Sequence, residues 1–200
     1  FNRLPVRFTF DDCYFTKHRS KYQGIPIKGY TDLIEAMIED ITIITGDYVL
    51  DKWYDSTQFK KHIYTGSPDY LFNYKHGLLP YRSLRFEFET HQGDYQGGAV
   101  VNYTHPEVPW TRITEHKHFS TDADLDGPTI ISKEFPTAYV PGGEPFYPIN
   151  TAENQEIYTK YLKMAEEKNI ILGGRLGLYQ YLDMDQTIEK AMELCEKLLK

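Results

Sequence analysis

Three arginines stand apart by the company they keep: Arg7, Arg82 and Arg112 each sit among aromatic and small polar residues, away from any mixed-charge helix face. A guanidinium is planar, permanently charged and able to hold two phosphate oxygens at once, so several that converge suit a diphosphate. Spacing alone does not make them converge. Tyrosine is the second signal, with 17 in 200 residues, clustered where Arg, Asn and Asp also occur. Its flat apolar ring and polar tip suit sugars and nucleotides as well as protein interfaces.

Three shorter motifs carry weaker chemistry. Gly173-Gly174-Arg175-Leu176-Gly177 follows a short apolar run and leads towards a helix. A loop of that kind offers backbone N–H groups to an anion, yet its spacing is neither the dinucleotide fingerprint nor a P-loop, and a tight structural turn explains it equally. Asp122-x-Asp124-x-Asp126-Gly127 copies the first half of an EF-hand loop, but its twelfth position is Lys133 where a bidentate Glu is required. His116-x-His118, read as a strand, points two imidazoles to one face, with no acidic ligand a few residues later. The expectation is therefore no metal site.

The elements that must hold these residues are legible from periodicity. Thr31 is expected to cap a helix whose Leu33, Ile34, Met37, Ile38 and Ile41 enter a core. Ile43 to Leu50 reads as strand, turn and strand. From Arg82 to Thr90 the alternation predicts a strand with Leu84, Phe86 and Phe88 inside, and Ala99–Tyr103, Trp110–Phe119 and Thr129–Phe135 read as further strands, paired antiparallel. After Pro148 the pattern changes. Thr151 caps a helix carrying Ile157, Tyr158, Tyr161, Leu162 and Ala165 on one side, Ile170–Leu172 is a short buried strand, and a last helix starts near Asp183 with Gln186 completing a capping box. That helix is expected to bury Ile188, Ala191, Met192 and Cys195, which makes Cys195 a reduced core thiol.

Forty per cent apolar and 26% charged residues suffice for an ordinary core, and the net charge of −7 is spread along the chain with no basic block, which argues against nucleic acid as a partner. No apolar run approaches the ~20 residues of a membrane span, so neither membrane insertion nor a location other than the cytoplasm is expected. Phe1 is not an initiator Met, and the opening residues read as mid-protein sequence, hence as an excised fragment.

In order along the chain, Arg3-Leu-Pro-Val-Arg7, Ile63-Tyr-Thr-Gly66, Tyr81-Arg-Ser-Leu84, Tyr95-Gln-Gly97, Val101-Asn-Tyr103, Pro109-x-Thr-Arg-Ile-Thr-Glu-His-Lys117, Tyr147-Pro148, Gly174-Arg-Leu-Gly177 and Tyr179-x-Tyr-x-Asp-Met-Asp185 resemble UDP-galactopyranose mutases. The resemblance implies interconversion of UDP-galactopyranose and UDP-galactofuranose through a covalent adduct at N5 of reduced FAD. It implies catalytic diphosphate clamps at Arg7 and Arg112, and substrate contacts from Tyr22, Arg82, Asn102, Tyr147, Tyr181 and Asp183. Gly174, Arg175, Met184, Asp185 and Gln186 look like the flavin-contacting set.

The family's N-terminal Rossmann-type unit has no counterpart here, so the piece is read as the C-terminal half, inactive alone, with a homodimer left open. The fold class is α+β: a mostly antiparallel central sheet with flanking helices, plus a C-terminal strand, loop and helix that complete an FAD-binding domain. The division expected is 1–30 as a connection to a missing helical domain, 31–148 as the substrate-binding sheet and 149–200 as part of the flavin domain. A noncatalytic carbohydrate-binding module, or another FAD-dependent oxidoreductase, is the alternative.

Overall fold

A computed structural model describes residues 24–45 and 59–199. Arg7, Cys13, Tyr22 and most of the Ile43–Leu50 segment lie outside them. The elements are α1 (Gly29–Met37), β1 (His62–Tyr64), α2 (Pro68–Leu71), β2 (Tyr81–Gln92), β3 (Val100–Asn102), β4 (Arg112–Glu115), a 3-10 turn (His116–Phe119), β5 (Pro128–Ala138), β6 (Tyr147–Pro148), α3 (Ala152–Glu167), β7 (Ile170–Leu172), α4 (Gly174–Gly177) and α5 (Met184–Leu198). They build an α+β fold whose five-stranded sheet has the order β3-β4-β5-β2-β6, beside a two-stranded β1-β7 pair. The antiparallel pairing expected between consecutive strands holds for β3 with β4 and β4 with β5. The described residues divide into two compact units, one drawn from Phe1–Gly46 and Phe86–Glu134, the other from Asp47–Arg85 and Phe135–Lys200.

The second unit holds the larger core: Leu71, Phe72, Leu79, Tyr81, Tyr161, Ala165, Ile170, Leu172 and Tyr179 are buried together, with Ile157, Tyr158 and Leu162 packed against them. Helix α3 supplies one wall as its 3.6-residue period requires, and its start is fixed by the Thr151 side chain, which accepts from Asn154 N–H at 3.2 Å. Such a cap contributes about 1 kcal/mol. Strand β7 pairs parallel with β1, His62 opposite Ile170 and Tyr64 opposite Leu172. In the first unit Ile113 and Ile131 are fully buried on neighbouring strands.

Four expectations are corrected. In β2 the buried side chains are Tyr81 and Ser83, while Phe86 and Phe88 are exposed, so the strand's covered face has the opposite parity and only at its start. The Trp110–Phe119 strand stops at Glu115, and His116 and His118 lie in the 3-10 turn. Helix α1 begins at Gly29 and buries none of its residues. Helix α5 does start as expected, with Asp183 as its N-cap and the capping box to Gln186, yet Ile188, Met192 and Cys195 are exposed. An amphipathic period shows that a helix has an apolar face; it does not show that a covering partner lies within the same stretch of chain.

Candidate functional site

Within the second unit, β6 lies antiparallel to the start of β2 with Arg82 opposite Tyr147 and Tyr81 opposite Pro148. Beyond β7 the chain turns through α4 towards Asp183. Gly174 has φ +69, and an added Cβ at Gly177 would stand 2.8 Å from the Tyr64 carbonyl oxygen. Gly174 is thus required by its left-handed backbone and Gly177 by the close approach of α4 to β1, so the tight-turn explanation of this motif accounts for these two residues.

That turn delivers Arg175 and Tyr181 to Tyr147. The rings of Tyr147 and Tyr181 stack with centroids 5.7 Å apart and planes 23° from parallel. The Arg175 guanidinium carbon lies 4.8 Å from the Tyr181 centroid and 5.2 Å from that of Tyr147. Its Nε and Nη2 are buried, and neither has a hydrogen-bond partner among the described residues. A buried donor left unpaired costs about 1 to 3 kcal/mol, more when charged, so this guanidinium is arranged for an acceptor that the described residues do not provide.

Asp183 is exposed and spends its carboxylate on the first turn of α5, while Gln186 Oε1 accepts its backbone N–H at 3.0 Å. Met184 and Asp185 follow on the exposed side of that turn. Gly174 opens α4 beside Thr65. Arg82 is exposed at its β2 position.

In the first unit, register makes a row across three strands: Asn102 opposite Arg112, and Arg112 opposite Glu134. Arg112 Nε donates to Asn102 Oδ1 at 3.0 Å and Nη1 to Glu134 Oε1 at 3.2 Å. These two bonds fix the plane of a partly exposed guanidinium and leave its Nη2 without a hydrogen-bond partner among the described residues. Glu134 was not singled out from the sequence. Strand register, which selects it, is not written in any local pattern.

The two metal-like motifs resolve differently. The Lys117 ammonium donates to the carbonyls of Gly93, Asp124, Leu125 and Gly127 at 2.8 to 3.2 Å, so a tethered cation binds the backbone of the Asp122–Gly127 loop. His118 Nε2 lies 3.1 Å from Asp94 Oδ1 and 3.5 Å from Glu115 Oε2. Its acidic neighbours thus come from the end of β4 and from the loop at Asp94, where the sequence pattern had covered only the residues that follow. These three groups lie close enough to face one ion. Their lone pairs are already engaged: Glu115 accepts Tyr95 and Gln96 N–H at 3.0 and 2.9 Å, and Asp94 accepts Gly97 N–H at 2.7 Å. Burial pushes the Glu115 carboxyl up, and the Tyr95 and Gln96 N–H donors outweigh it, leaving the group below the usual range. The Gly97 N–H and His118 lower the Asp94 carboxyl likewise.

Comparison with known proteins adds the family context. The sequence model of the family described as GLF: UDP-galactopyranose mutase matches residues 1–181. A probable UDP-galactopyranose mutase of Klebsiella pneumoniae is 44% identical over 98% of this chain and 50% of its own length. The dTDP-fucopyranose mutase of Escherichia coli is 38% identical over 99% of this chain and 54% of its own length. The chain thus spans about half the length of these curated relatives. A crystal structure of reduced UDP-galactopyranose mutase is similar with a TM-score of 0.58 at 14% identity, covering 70% of this chain and 41% of that one, a likeness of fold.

Proposed function

The chain belongs to the UDP-galactopyranose mutase family, and on that premise we propose that it carries the substrate-binding and part of the flavin-binding machinery of a mutase interconverting UDP-galactopyranose and UDP-galactofuranose. The observation that supports this best is Arg175, with two buried nitrogens lacking partners among the described residues and a tyrosine pair against its face. That donor set fits an anionic or carbonyl-bearing cofactor such as FAD. Gly174, Met184, Asp185 and Gln186 complete the proposed flavin contacts. Reduced FAD, when bound, supplies the nucleophile for the anomeric carbon.

The chain's own residues then have separate tasks. Arg112, held flat by Asn102 and Glu134, turns its remaining N–H edge to the UDP diphosphate, where negative charge grows as the glycosidic bond lengthens. Arg7 is proposed as the second clamp, and Tyr22 as a further nucleotide contact. The Tyr147 and Tyr181 hydroxyls are proposed as phosphate contacts, Asp183 as the residue that orients Tyr181 and the sugar, and Arg82 and Asn102 each as contacts to galactose and flavin. In this reading the 200 residues alone are inactive.

The test is a chimera in which this chain replaces the matching half of the Klebsiella pneumoniae relative. With reduced FAD, Arg112→Ala in that chimera is expected to lose on the order of 100-fold in turnover, the effect of about 3 kcal/mol of lost charge stabilisation. Turnover within a few-fold of the parent chimera at saturating substrate removes Arg112 from the role.

A further inference from the structure

We propose that Tyr179 is the positioning residue that sets Tyr181 and Arg175 against Tyr147. The geometric part stands by itself; only what the stack binds rests on the function proposed above.

Tyr179 is fully buried and has φ +48, a left-handed backbone that a bulky side chain adopts only under constraint. The constraint is visible. Its hydroxyl donates to the Pro80 carbonyl at 2.7 Å and lies 3.1 Å from the Ile149 carbonyl. Pro80 immediately precedes β2 and Ile149 immediately follows β6, and these two residues are joined by a backbone bond of 3.0 Å. The hydroxyl therefore clips the turn after α4 to the end of the ladder that holds Arg82 opposite Tyr147. Its ring is gripped on both sides, stacked on Tyr158 at 5.8 Å and edge-on to Tyr81 at 5.3 Å.

A chain reversal anchored at residue 179 places residue 181 next to the strand carrying residue 147, and the Tyr147–Tyr181 stack is the result. The same turn is closed by Tyr179 N–H to the Leu176 carbonyl and Gln180 N–H to the Arg175 carbonyl, so the backbone that bears Arg175 is tied to the same anchor. Burial pushes the Tyr179 hydroxyl up to about 12, which keeps it a proton donor across the physiological range.

Tyr161 supplies the matched comparison. It is equally buried and its hydroxyl also bonds backbone, to Gly77 O at 2.6 Å and from His76 N at 2.9 Å, but neither partner belongs to the β2–β6 ladder or to the turn that bears Arg175. The experiment records the Arg175 Nε–H resonance of the 200-residue chain by NMR in wild type, Tyr179→Phe and Tyr161→Phe. Ring currents from two tyrosines displace that resonance in wild type. It is expected to return towards the position of free arginine in Tyr179→Phe and to stay displaced in Tyr161→Phe. A displaced signal that survives in Tyr179→Phe overturns the proposal, and so does an equal change in both variants, which makes the effect general loosening. Should Tyr179→Phe not fold, heating the wild type decides. The proposal expects fast exchange of the Tyr179 hydroxyl and loss of the Arg175 displacement at one temperature, and an Arg175 displacement that outlasts the hydroxyl bond contradicts it. Neither readout depends on FAD or UDP, so failure here is distinct from failure of the proposed function.

Discussion

Arg175 joins a cost to a use. Two of its nitrogens are buried without partners among the described residues, and its plane faces Tyr147 and Tyr181. The unpaired donors cost about 1 to 3 kcal/mol each, whereas two cation–π contacts contribute ~0.5 to 2 kcal/mol apiece. Methionine keeps much of the apolar stem and brings no donor to satisfy. Arg175→Met is therefore expected to leave the urea midpoint of the chain equal to or above that of wild type. A loss of more than about 2 kcal/mol in urea unfolding would make Arg175 a structural residue and remove the observation on which the binding role rests. Arg112 is a different case, because its two satisfied bonds only fix its orientation.

At the scale of elements, the short α4 is governed by contact with β1. Alanine ordinarily favours a helix over glycine by about 1 kcal/mol. At Gly177, however, a Cβ would lie 2.8 Å from the Tyr64 carbonyl oxygen, and the neighbour is backbone, which cannot step aside. Gly177→Ala is expected to destabilise the chain by about 1 to 3 kcal/mol in urea melts, against the helix propensity. A stabilised variant would show that α4 stands further from β1 than described. This contact also marks where the sequence stops being legible. Capping at Thr151 and Asp183 and the core face of α3 could be read directly, because each is a local pattern of spacing. The parallel pairing of β1 with β7 joins residues more than a hundred positions apart and left no local trace. The row Asn102, Arg112, Glu134 depended on register, so Glu134 escaped notice, while Arg112 stood out by its aromatic and small polar neighbours and Asn102 was found by resemblance. The exposed faces of α1 and α5 failed for the opposite reason: their patterns are strong but say nothing of what covers them.

Across the molecule, tyrosine burial couples the fold to alkaline pH. Tyr64, Tyr139 and Tyr179 are each pushed up to about 12, chiefly by burial, and Tyr81 is pushed higher still. In the unfolded chain these hydroxyls ionise near pH 10. Between pH 10 and 12 the folded state thus holds protons that the unfolded state has released, and stability falls as pH rises. The contribution is complete below pH 10 and is lost through the folded-state values. Urea midpoints at pH 8, 9, 10 and 11 are expected to be level up to pH 9 and to drop steeply above pH 10, with part of the tyrosinate absorbance appearing only on unfolding. A midpoint unchanged at pH 11 would mean that these rings are not enclosed as described.

The whole account depends on this chain serving a mutase. The most direct measurement follows the product of the Klebsiella pneumoniae chimera given UDP-galactopyranose, with FAD oxidised in one sample and reduced in the other. The account predicts UDP-galactofuranose in the reduced sample only, approaching an equilibrium with no net consumption of reductant. A folded, flavin-bearing chimera that yields no furanose when reduced, or that consumes reductant in step with substrate, would contradict it.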